Sequence, residues 1–65
     1  MRDEIIEILE MISPGNLVEY LESMEMIEFI EELENNFDIE IPSEEKIEEN
    51  FENIESIMEM IVKLQ

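Results

Sequence analysis

Apolar residues recur along this chain with a helical period in three long stretches and one short one. Over residues 2–12, Ile5, Ile8, Leu9 and Ile12 fall at i, i+3, i+4 and i+7, with Glu4, Glu7 and Glu10 on the other side. That spacing predicts an amphipathic helix, broken by the turn residues Ser13-Pro14-Gly15-Asn16. Residues 17–22 form a short apolar connector, expected to fold back over the core with the Tyr20 ring packed on it. The longest helix is predicted from Ser23 to about Phe37, with Met26, Ile30, Leu33 and Phe37 as its stripe. Phe29 widens the buried face, while Met24 and Ile27 fall outside the stripe. Asp38-Ile39-Glu40-Ile41-Pro42 alternates and ends in proline, which predicts an extended link. Ser43 then reads as the N-cap of a short, mobile third helix, with Glu44 and Glu45 suited to its positive end. Its apolar content is Ile47 alone, with Phe51 just beyond. Asn53 is expected to cap a last helix in which Ile54, Ile57, Met58, Ile61 and Leu64 repeat the core spacing. The prediction is one all-α domain over 1–65, a four-helix bundle of three main helices and one short helix.

Composition changes this picture in two ways. A chain of 65 residues buries only about 60 % of its unfolded surface, so the core must be thin. A hydrophobic fraction of 45 % nonetheless separates the chain from a disordered acidic tail. There is no cysteine and no histidine, which removes disulfides, thiolate zinc sites and every Ser–His arrangement. Adjacent carboxylates such as Glu31 and Glu32 diverge on a helix, and no calcium-loop pattern occurs. Neither a catalytic nor a metal site is expected.

Charge then dominates the surface. Twenty Asp and Glu face only Arg2, Lys46 and Lys63, a formal net charge of −17. Such a surface repels phosphate backbones and anionic lipid, so neither nucleic acid nor membrane is an expected partner. It attracts proteins with basic patches. Met1-Arg2-Asp3-Glu4 lacks the basic-then-apolar pattern of a signal peptide, and no apolar run approaches the roughly 18–20 residues of a membrane span. A cytoplasmic monomer is expected.

Among the four serines, 13, 23, 43 and 56, the setting of Ser23 stands apart. On pattern alone it reads as a helix N-cap. It opens the longest acidic helix directly after an apolar connector, with Met24 and Ile27 left over beside it. A hydroxyl there is presented outward, where a phosphate would meet free N–H groups and the helix dipole. Nothing in the chain can activate it as a nucleophile, so another enzyme would have to modify it.

The stretch from Glu22-Ser23-Met24 through Glu34-Asn35-Asn36-Phe37-Asp38-Ile39-Glu40-Ile41-Pro42 resembles the acyl and peptidyl carrier proteins. Their signature is Asp-Ser-Leu at the start of the second helix, then an acidic amphipathic helix ending in Glu-Phe-(Asp/Gly)-Ile-Glu-Ile-Pro. The spacing from Ser23 to Pro42 fits without a gap. Asn50-Phe51-Glu52-Asn53-Ile54 is similar to the family's lead-in to its final helix, and Ile57 and Ile61 match core positions there. The chain departs from the pattern before the serine, with Tyr20-Leu21-Glu22 in place of Gly and Asp. Met24 replaces the usual Leu, and the loop between the first two helices is shorter than in typical members. The resemblance implies an acyl-carrier-like bundle, with 4′-phosphopantetheine attached to Ser23 and cargo held as a thioester on the arm. It further implies a recognition face of Glu22, Met24, Glu25, Ile27, Glu28 and Glu31. The implied partners are a phosphopantetheinyl transferase and adenylating, acyl-loading and condensing enzymes with basic patches. The Leu-Glu-Ser-Met start is closer to D-alanyl and free-standing peptide-synthesis carriers, and the cargo, acyl or aminoacyl, stays open. The competing reading is an unmodified acidic helical module that occupies a basic site, as a nucleic-acid mimic or inhibitor does. Its support is the charge alone.

Self-repulsion among so many carboxylates must weaken the fold, and salt screens it over a Debye length of about 8 Å at physiological ionic strength. The melting temperature is therefore expected to rise with added sodium chloride. A melting temperature indifferent to ionic strength would remove repulsion as a determinant of stability.

Overall fold

The computed structural model describes residues 1–65 and contains three α-helices and no strand. Helix α1 spans Arg2–Ile12, α2 spans Ser23–Phe37 and α3 spans Ile54–Leu64. Helix α1 packs against both of the others. It ends as the turn residues demand. The Ser13 N–H still reaches the Leu9 carbonyl at 2.8 Å. Pro14 cannot continue the helix, and Gly15 takes φ +75°, a backbone region open to glycine. Glu10 Oε2 accepts the Gly15 N–H at 2.7 Å, and Asn16 Nδ2 donates to Ser13 Oγ at 3.1 Å.

Eleven residues are buried, and none of them is polar. Ile5, Ile8 and Leu9 come from α1, Phe29 and Leu33 from α2, and Ile57, Met60 and Ile61 from α3. The remaining three, Val18, Ile41 and Phe51, come from the connecting segments. Phe29, Ile5, Leu33, Ile57 and Ile61 lose essentially all contact with solvent, each gaining about 1.5–3 kcal/mol from its burial.

Several expectations shift. The buried line of α2 runs through Phe29 and Leu33, and Met26, Ile30 and Phe37 are half-buried flanks. Phe29 and Leu33, at i and i+4, lie on one side of the helix and hold the centre of the buried face. On α3, Met60 is buried while Met58 is only half-buried, since Ile57, Met60 and Ile61 share one side of the helix. Tyr20 does not pack over the bundle: it is 66 % exposed. The connector forms a single 3-10 turn, Val18–Tyr20, in which Val18 takes the inward position.

The short third helix is replaced by two 3-10 turns, Ser43–Glu45 and Glu48–Phe51. Ile47 is extended at φ −119° and ψ 156°, which separates them. Ser43 is not an N-cap there; Pro42 holds that position and Ser43 is the first residue of the turn. Only Phe51 anchors this segment to the core, so one full α-turn of burial is lacking. Asn53 does cap α3, its side chain accepting the Ser56 N–H at 2.8 Å.

Carboxylates hold the connecting segments in place. Helix α2 ends at Asp38 in the left-handed region, φ 52° and ψ 51°, and the Ile39 N–H returns to the Glu34 carbonyl at 3.1 Å. The Glu34 side chain then accepts the Ile41 N–H at 2.8 Å, which fixes the extended link with Ile41 turned into the core. Glu45 does the same for the next segment. It accepts from Asn50 Nδ2 at 3.0 Å and from Lys63 Nζ, which lies 3.0 Å from each of its oxygens. These contacts, Lys63 foremost, hold the Glu45 carboxyl below its ordinary value of 4.5.

A depressed carboxyl pKa stabilises the folded state above the ordinary value, and that contribution is lost as pH falls through the folded value. In a double-mutant cycle of Glu45→Gln and Lys63→Met, coupling is therefore expected at pH 7 and should vanish well below pH 4.5. Coupling that persists after the carboxyl is protonated would contradict the ion pair as its source.

Candidate functional site

The first turn of α2 is built by its own flanking glutamates. Glu22 occupies the N-cap position with extended backbone, φ −76° and ψ 165°, and Ser23 is the first helical residue. The Glu22 N–H donates to Glu25 Oε1 at 3.0 Å, the reach-back arm of a capping box. This corrects the reading of Ser23 as N-cap. Its hydroxyl stands one position further on, exposed, and is not spent on capping.

Beside Ser23 opens a groove of about 960 Å³ between α2 and the segment carrying the two 3-10 turns. Val18 and Phe51 form its buried floor. Leu21, Met26 and Ile30 line it half-buried, and Ile27 and Ile47 stand at its rim, 58 % and 44 % exposed. Glu19, Glu48 and Glu52 supply acidic edges, and Lys46 is the one cation on its walls. Helix period explains why Ser23 faces this space: Ser23, Met26, Ile27 and Ile30 fall at i, i+3, i+4 and i+7.

The expected recognition residues divide into two groups. Met24, Ile27, Glu28 and Glu31 are exposed and lie at i, i+3, i+4 and i+7, so they share one outward stripe. Met24 is the most open large apolar side chain of the molecule, at 76 %. Glu22 is exposed at the cap, but Glu25 is half-buried and committed to the Glu22 N–H. Ile27 belongs to both the stripe and the groove. The wall formed by Lys46, Ile47 and Phe51 was not legible as part of a site, because it lies more than twenty residues from Ser23 in sequence. The other serines are placed differently. Ser13 is half-buried in its turn, Ser56 half-buried in α3, and Ser43 exposed away from the groove lining.

No group of three or more acidic, His or Cys side chains is placed to hold a metal ion. No helix is long and apolar enough to cross a membrane.

Two alanine substitutions separate a capping serine from a free one. Asn53→Ala removes a true cap and should cost about 1 kcal/mol. Ser23→Ala should change stability by less than about 0.5 kcal/mol, as at an ordinary surface position. Equal losses in urea denaturation would return Ser23 to a capping role. Compared with protein-family models, curated proteins and solved structures, the chain matches none.

Proposed function

We propose that this chain is a carrier protein with an acyl-carrier-like bundle, in which Ser23 bears 4′-phosphopantetheine and presents acyl or aminoacyl groups to partner enzymes. The observation that carries the reading is the setting of Ser23: an exposed hydroxyl at the first position of α2, free of capping, on the lining of a groove of about 960 Å³. The residues present fit the group. The N–H groups and dipole of a 15-residue helix favour a phosphate at this end. The groove beside it offers an apolar floor of Val18 and Phe51 along which an arm can lie.

When bound, the arm supplies the thiol that holds cargo as a thioester, a reactive group the chain itself lacks. The chain contributes position and address. Glu22 and Glu25 hold the attachment point at a fixed helix end. Glu28 and Glu31 steer a basic enzyme surface, and Met24 and Ile27 give it apolar anchors. The base that takes the Ser23 proton during loading would come from a phosphopantetheinyl transferase, as none of this chain's carboxylates hydrogen-bonds the Ser23 hydroxyl. Adenylating, acyl-loading and condensing enzymes with basic patches are the later partners. The two 3-10 turns stand where carriers of this kind have their short third helix.

Intact-mass spectrometry after incubation with coenzyme A and a broad-specificity phosphopantetheinyl transferase tests the proposal. One added phosphopantetheine is expected, absent in Ser23→Ala, with loading slowed by Glu28→Lys. No mass gain with several transferases would favour an unmodified acidic module that occupies a basic partner.

A further inference from the structure

Lys46 is the one Lys or Arg side chain without a carboxylate partner. Arg2 pairs with Glu55 at 3.1 Å, Lys63 with Glu45 at 3.0 Å, and even the N-terminal ammonium with Glu4 at 3.2 Å. In a chain with twenty acidic residues, an unpaired lysine calls for a reason. Lys46 sits between the two 3-10 turns, at φ −84° and ψ 61°, and lines the same groove as Ser23. The carboxylates that share this groove, Glu19, Glu48 and Glu52, leave its ammonium without an ion pair.

We infer that Lys46 is the positioning residue for the phosphate joined to Ser23, the cation that draws the phosphodiester against the groove. The inference rests on the reading of Ser23 given above. A phosphodiester adds a negative charge to a molecule already at −17, and every carboxylate of the groove edge repels it. Arg2 and Lys63 are committed to carboxylates elsewhere, which leaves Lys46 as the free countercharge. Lysine suits the task, with three donors on a flexible stem that can follow a phosphate as the arm moves. Lys46 thus biases the arm toward the groove, while the stripe of Met24, Glu28 and Glu31 stays open to a partner enzyme.

The test loads four proteins with coenzyme A and a broad-specificity transferase: wild type, Lys46→Met, Lys46→Arg and Arg2→Met, the last at a cation whose partner Glu55 lies off the groove. Mass spectrometry verifies loading, and phosphorus NMR reads the environment of the phosphodiester. In wild type the resonance should be displaced from that of a short phosphopantetheinyl-serine peptide. Lys46→Met should bring it to the peptide position, Lys46→Arg should retain the displacement, and Arg2→Met, with the same change in net charge, should leave it in place. Lys46 is exposed and unpaired, so its variants should fold, as far-ultraviolet circular dichroism will verify. An identical resonance in loaded wild type and Lys46→Met would overturn the role of Lys46 alone. An equal shift in Arg2→Met would overturn it in favour of bulk charge. Failure of all four proteins to gain mass would overturn the reading of Ser23, and this inference with it.

Discussion

Apolar packing around Phe29 and Ile5 must hold twenty carboxylates within a body of 27 × 21 × 18 Å. Each of the three ion pairs keeps at least one partner more than half exposed and contributes little against that repulsion. The core therefore carries no polar side chain and draws on connectors as well as helices, segments that a larger protein could leave outside. With so few buried residues, Val18, Ile41 and Phe51 are as necessary as residues of the helices themselves.

The same carboxylates that threaten the fold also finish it. Glu10 accepts the Gly15 N–H, Glu25 the Glu22 N–H, and Glu34 the Ile41 N–H, each at a place where helical hydrogen bonding begins or ends. Glu45 joins Asn50 and Lys63 around the two 3-10 turns. An anion close to free backbone donors gains a charge-assisted hydrogen bond, so part of the acidic surface is structural. This division shapes the candidate site. Glu25 is spent on the cap and frees Ser23, while Glu28 and Glu31 remain in solvent beside Met24 and Ile27.

Much of the fold was legible because helical periodicity is local. The bounds of α2, the break at Pro14-Gly15 and the Asn53 cap all depend on residues within a few positions of one another. The errors arose where a partner helix decides. Met58 and Met60 are equally apolar and flank the Ile57–Ile61 line on either side, and packing against neighbouring segments buries Met60. Ser43 has the chemistry of a cap, yet Pro42 holds the capping position of a turn too short to be an α-helix. Tyr20 has no apolar surface above it once Val18 takes the inward place in its turn.

Ser23 and the stripe of Met24, Ile27, Glu28 and Glu31 could be read from the chain, since one helix carries them all. The groove could not. Its far wall, Lys46, Ile47 and Phe51, comes from a distant segment that Phe51 anchors in the core, that the Glu34–Ile41 contact leads into and that Glu45 ties to Lys63 of α3. Sequence alone determined an all-helical chain, its three helices and its acidic character, because period, turn residues and charge act over short distances. Tertiary structure alone decided that Ser23 lines a groove and that Lys46 faces that groove unpaired. Those outcomes depend on which distant backbone donors and apolar surfaces the carboxylates and side chains meet once the core has closed.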